Sequence, residues 1–234
     1  MRLHVILRVL CAASLLSIGG SGAFSQTNVG ATPSNPATKF RDTSILVPPA
    51  GAKVAILEWE DLECPACARA FPVVHAAIEH YKVPLVRHDF HIPGHVWSPE
   101  ASIYARYLQD KVSPEIATDY RRQVFASQFR IESKDDLSTF TQQFFQSKGT
   151  PLPFVVDPTG KLAQEVDADR NLGLKLGVFH TPTIVVVTRK GWIEVLDPSD
   201  LYSAIDQAQA MVANAPSRAP TSKAAARQKR PTSR

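Results

Sequence analysis

The sequence predicts an α/β domain carrying an all-helical insertion between its second and third strands. Three observations carry this. An apolar run, Val54 to Trp59, leads into a Cys-Pro-Ala-Cys turn and a helical pattern, and a second apolar run follows from Pro84 to Phe90. Three stretches of helical spacing then intervene, each opened by a serine. The β-branched run Thr183 to Val187 comes after them, with a turn at Arg189-Lys190-Gly191, a return strand and a last helical pattern.

Taken in order, Ile45-Leu46-Val47 reads as a possible short edge strand, ended by Pro48-Pro49 and Gly51. Val54 to Trp59 is a buried strand. Beyond the cysteines, Cys67, Phe71, Val74, Ile78 and Tyr81 recur at intervals of four and three, one face of a helix, with Pro72 inside it as a kink. Strand, helix and strand together make a right-handed parallel unit. The insertion covers about 98–149. Ser98-Pro99 and Ser113-Pro114 are read as a cap with a proline at the first helical position, and Ser133 with Asp136 as a capping box, while Gly149 ends the run. Lys161 to Leu176 is a further helix of less regular spacing. Asp197-Pro198 caps the last one, which turns Leu201, Ile205, Ala208 and Val212 inward.

The chemistry lies in the cysteine turn. A helix that begins near Pro65 directs its unpaired N–H groups and the positive end of its dipole at Cys64, so thiolate is favoured there. Cys64 is then the exposed nucleophile, and Cys67, one turn further in, closes the disulfide. Structural zinc needs two further ligands at set spacings, and haem attachment needs a histidine at position 68, which is Ala. An inert disulfide across so short a loop restrains the unfolded chain little. His88, His91 and His95 fall on a strand end and a Pro-Gly loop, where their intervals do not gather imidazoles, so neither metal nor cofactor is expected.

Residues 1–25 read as a secretory signal peptide: Arg2 and Arg8, an apolar core from Val9 to Ile18 too short to span a membrane, and Ala23-Phe24-Ser25 as the cleavage site. Its removal leaves Cys64 and Cys67 as the remaining cysteines. Residues 26–50 form a flexible leader with the possible edge strand, 51–213 the folded domain, and 214–234 a basic tail with nothing to bury. The net charge is +4, but six basic residues and no acid lie between Ser217 and Arg234, and two more in the signal, which leaves the body acidic by four. Nothing here asks for nucleic acid. An exported chain meets an oxidising compartment, periplasmic or extracellular, where a cysteine pair can cycle.

Laid out in order, Glu58-Trp59, Asp61, Cys64-Pro65-Ala66-Cys67, His95-Val96-Trp97-Ser98 and Leu176-Gly177-Val178-Phe179-His180-Thr181-Pro182-Thr183 resemble the DsbA-like branch of the thioredoxin superfamily over roughly Lys53 to Val212. The resemblance implies a thioredoxin fold and a cis bond at Pro182, set against the active-site disulfide, with Thr181 and Pro182 offering an edge to an extended substrate. It also implies a buried acid at Glu58, able to relay a proton to or from Cys67. Glu60, Asp61 and Glu63 are read as solvated loop acids whose charge opposes the Cys64 thiolate. Pro65 and Ala66 tune the pair. Ala66 stands where strongly oxidising relatives carry histidine, so that help to the thiolate is absent.

The expected function is exported thiol:disulfide oxidoreductase, exchanging disulfides with cysteine-containing exported proteins as a monomer and recycled by a separate redox partner. Two rivals remain: a non-catalytic module that holds unfolded exported proteins, and a thiol-dependent peroxidase.

Overall fold

The computed structural model describes residues 40–213; the signal peptide, most of the leader and the basic tail lie outside the described residues. Four strands form one sheet in the order β2-β1-β3-β4, where β1 is Val54–Glu60, β2 Leu85–Asp89, β3 Thr183–Thr188 and β4 Gly191–Val195. β2 runs parallel to β1, while β3 is antiparallel to both β1 and β4. Helix α1, Pro65–Tyr81, joins β1 to β2 and runs on through Pro72. The insertion consists of α2 (Ser98–Lys111), α3 (Pro114–Ser127) and α4 (Lys134–Ser147). Helix α5, Lys161–Leu176, leads back to the sheet, and α6, Leu201–Ala213, closes the domain. This is a thioredoxin fold with a helical insertion between the second and third strands.

The central strands β1 and β3 are buried throughout, which is why they read as near-continuous apolar runs, interrupted in β1 by Glu58 and Glu60. Their two faces differ. Val54 and Ile56 pack with Ala70, Val74 and Ala77 of α1 and Ile205 and Ala208 of α6, whereas Ala55, Leu57 and Trp59 pack with Leu176 and Val178 at the end of α5. Strand alternation therefore turns Glu58 and Glu60 to the α1 face. Gly173 lets α5 close on the sheet: a Cβ there would meet the Phe90 ring at 2.7 Å and Trp59 Cδ1 at 2.8 Å. That close approach accounts for the irregular spacing in α5.

Three local readings are corrected. Thr43–Ile45 is a 3-10 turn capped by Asp42, whose side chain accepts from the Ser44 N–H, and no edge strand forms at Ile45-Leu46-Val47. Ser98 is the first residue of α2 and not its cap: Trp97 holds the cap position, the Ser98 hydroxyl is buried without a partner, and Glu63 accepts from the N–H groups of Trp97 and Ser98. Asp197-Pro198 opens a 3-10 turn, Pro198–Asp200, ahead of α6. By contrast, Ser113 caps α3 through the Ile116 N–H, and Ser133 caps α4 through the Asp136 N–H, while the Asp136 carboxylate accepts from the Ser133 hydroxyl and the Glu132 N–H.

Candidate active site

Cys64 is the N-cap of α1, Pro65 its first helical residue, and Cys67 lies one turn in. Both cysteines are free thiols in this structure. Each is buried, with 7% of Cys64 and 1% of Cys67 accessible. Cys64 is thus less open than the sequence suggests, because the insertion walls it in: both sulfurs share one apolar cluster with Leu62, Phe71, Trp97, Tyr120 and Phe125. The residual opening is still on the Cys64 side.

The cysteine loop is held from three directions. The Cys64 thiol donates to the Thr181 carbonyl at 3.4 Å, and the Thr181–Pro182 peptide bond is cis. The Asp61 backbone N–H donates to Cys67 Sγ at 3.4 Å. From the insertion, the Gln128 amide donates to the carbonyls of Leu62 and Cys64 at 2.8 and 3.1 Å.

These contacts give the two thiols opposite characters. Cys64 is drawn down to about 5, chiefly because the Cys67 thiol donates to it; burial opposes this, while the Thr181 side chain and the N–H groups of Cys67 and Ala66 add to it. The Thr181 hydroxyl is buried with no other partner, so it is available to a thiolate. Cys67 is pushed well up, by burial first and then by its donation to Cys64 and the Cys64 charge. Ala66 contributes only its backbone.

The three loop acids are not solvated. Glu60 is 1% and Asp61 0% accessible. The Asp61 carboxylate accepts from the N–H groups of Glu63 and Ile92, both at 2.8 Å, and from His95 Nδ1 at 2.6 Å, so it ties the loop after β2 to the cysteine turn. Glu63 points away from Cys64 and accepts from the N–H groups of Trp97 and Ser98 at 2.9 and 3.1 Å, where the N-terminus of α2 absorbs its charge. Its expected opposition to the thiolate is therefore spent elsewhere. The i to i+2 bond from Asp61 to Glu63 is an Asx-turn, which the sequence signals in retrospect. Gln128 and Arg121 carry no local signal, since their partners lie far off in the chain.

Glu58 is buried, 1% accessible, and raised to about 8 by burial and then by the Glu60 charge, with Arg87 and Arg121 pulling the other way. Thr181 and Pro182 line a groove of about 490 Å³ beside the turn, together with Ala66, Arg69, Leu196 and Pro198. The histidines go to separate partners: His88 Nδ1 lies 2.9 Å from Asp169, His95 is on Asp61, and the buried His91 Nδ1 has none. Among the described residues, no group of histidine, cysteine and acid side chains is arranged to hold a metal, and no helix is long and apolar enough to cross a membrane.

Comparison with known proteins agrees with this architecture. Residues 42–207 match the family described as Thioredoxin (Thioredoxin_4). No curated protein sequence matches the chain. Among solved structures, it is similar to a single-residue variant of α-DsbA1 from Wolbachia pipientis, at TM-score 0.58 and 15% identity over 71% of this chain and 92% of that one. The thiol-disulfide exchange protein α-DsbA2 of the same organism aligns at TM-score 0.54 and 18% identity over 69% and 84%. Proteus mirabilis ScsC in a compact conformation aligns at TM-score 0.54 and 18% identity over 71% and 73%. With a fold of the DsbA-like kind and a family match spanning most of its length, the chain belongs to the thioredoxin family.

Proposed function

We propose that the protein is a thiol:disulfide oxidoreductase that exchanges disulfides with cysteines of other proteins through Cys64 and Cys67. The observation that carries this is the split between the thiols: a depressed, slightly accessible Cys64 at a helix N-terminus beside Thr181, and a shielded, raised Cys67 behind it. In the oxidising direction a substrate thiolate attacks Cys64 Sγ of the disulfide. The Cys64–Cys67 bond breaks, its electron pair goes to Cys67, and a mixed disulfide joins Cys64 to the substrate. A second substrate thiolate then attacks the substrate sulfur of that bond and releases Cys64, leaving the substrate oxidised by two electrons and the protein reduced. Because Cys64 is the better leaving group when its pKa is low, this direction is favoured. Glu58 serves as the proton store for Cys67.

The substrate is an unfolded or flexible chain. Val96, Phe129 and Leu196 are large apolar residues more than half exposed, and each sits on a segment that touches the cysteine turn: beside His95 and Trp97, beside Gln128, and in the groove with Ala66. The matched DsbA and ScsC structures support the same reading. Export to the periplasm or the medium, and recycling by a separate redox partner, complete the proposal.

The test is to mix the oxidised protein with a reduced, unfolded protein that has one native disulfide. One disulfide should appear per molecule of oxidant, and none with Cys64→Ser. A Cys64→Ser, Cys67→Ser protein that retained full biological activity would instead establish the binding-module reading, and peroxide consumption would establish the peroxidase.

A further inference from the structure

Glu58 and Glu60 lie on one face of β1, two residues apart, each 1% accessible and each with its Oε2 left without a hydrogen-bond partner. Their surroundings differ. Glu60 Oε1 lies 2.8 Å from Arg121 Nη1 and 2.9 Å from Arg87 Nε. The same Arg121 nitrogen lies 2.8 Å from Asp89 Oδ1, and Arg106 pairs with the other oxygen of Asp89 at 2.6 Å. No cation within the described residues donates to Glu58. Arg121 is 3% accessible and comes from α3, so the helical insertion supplies it. Three arginines therefore answer the charges of Glu60 and Asp89, and Glu58, one pleat along the strand, is left to hold a proton.

Position along the strand matters as well. The Asp61 N–H reaches Cys67 Sγ, so Glu60 is the acid adjoining the peptide that touches the resolving cysteine, while Glu58 lies about 7 Å further along β1. We propose that Glu60, paired with Arg121 from the insertion, is a positioning residue whose charge holds the proton on Glu58 and on Cys67. This rests on the oxidoreductase reading and adds a direction to it. When a substrate thiolate attacks Cys64 Sγ and the electron pair of the broken disulfide goes to Cys67, a neutral Glu58 stands ready to supply the proton that Cys67 takes up. Pairs of acids driven apart by their surroundings divide the roles of proton holder and fixed charge in this way. The other groups facing the pair are Arg87 from β2, with His75 of α1 3.1 Å from its Nη2, and the two cysteines of α1. The raised Glu58 and Cys67 both count the Glu60 charge among their causes.

The experiment follows the carboxyl ¹³C signal of Glu58 through a pH titration, alongside the pH dependence of disulfide reduction by glutathione, in the full chain. In Glu60→Gln, which keeps the shape and removes the charge, the Glu58 midpoint should fall by about one pH unit, and the reduction profile should move to lower pH with it. Arg121→Lys preserves a cation between Glu60 and Asp89 and should stay close to the wild type in both readouts. An unmoved Glu58 midpoint in Glu60→Gln overturns the inference, as does an equal fall in Arg121→Lys. Since the titration needs no exchange activity, a protein that shows the midpoint shift but never exchanges disulfides would refute the oxidoreductase reading, and with it the proton delivery to Cys67, while the charge coupling of Glu60 to Glu58 would stand.

Discussion

Cys64 Sγ and the carbonyl oxygen of Thr181 meet at 3.4 Å across 117 positions of sequence, and the buried Thr181 hydroxyl has no other partner. Once Cys64 ionises, that hydroxyl can donate to the thiolate. Thr181→Val keeps the β-branched shape and removes the donor, so the Cys64 pKa should rise from about 5. Thiolate absorbance through a pH titration measures it, and an unchanged midpoint would remove Thr181 from the site.

The accessible side of the pair is the Cys64 side. Brief alkylation of the reduced protein near pH 7, mapped by mass spectrometry, should modify Cys64 first, by an order of magnitude or more, since thiolate and not thiol reacts. Preferential labelling of Cys67 would reverse the assignment of nucleophile and resolver.

A depressed thiol also acts on stability. Cys64 sits near 5 when folded against an ordinary 9, so its contribution is full above pH 9 and is lost as pH falls through 5. At pH 7 the shift alone would give about 3 kcal/mol for the reduced protein, and solvent screening on the open side of the thiol brings this nearer to about 2 kcal/mol. Cys64→Ser should remove that pH dependence from chemical denaturation curves of the reduced form; parallel curves for the two proteins between pH 5 and 8 would contradict it.

Glu58 has the opposite sign. Its folded value, about 8, lies above its ordinary 4.5, so the folded state keeps a proton that the unfolded chain has released. Stability therefore falls as pH rises from about 4.5 to about 8, by a few kcal/mol in all. Glu58→Gln should be the more stable protein at pH 8, with the difference fading toward pH 4. The same substitution should slow proton delivery to Cys67. A wild type as stable at pH 8 as Glu58→Gln would mean that the acid is ionised at no cost.

Ala66 offers the thiolate a backbone N–H and no side-chain donor. Ala66→His should lower the Cys64 pKa further and raise the reduction potential with it, because both follow from one stabilised thiolate. Equilibration with glutathione reads the potential. A fall in pKa without a rise in potential would place control in the oxidised state.

The order of elements was written in local patterns. The near-continuous apolar runs of β1 and β3, the serine caps at Ser113 and Ser133, and the Cys-Pro-Ala-Cys turn each depend on neighbours a few residues away, so periodicity and cap chemistry were enough to place them. The same holds for Cys64 at the start of a helix. What the sequence could not express is where charge goes once the chain is packed. Glu60, Asp61 and Glu63 look like a polar loop, yet they are drawn to Arg121, His95 and the N-terminus of α2, partners 34 to 61 residues downstream. Gln128 grips the cysteine turn from 64 and 66 residues away. Gly173 breaks the helical pattern of α5 because two aromatic rings, Trp59 of β1 and Phe90 just past β2, occupy the space where a side chain would be. A carboxylate is worth burying only where a cation or a set of N–H groups awaits it, and that meeting is decided by how the insertion docks on the sheet, not by anything in the residues beside it.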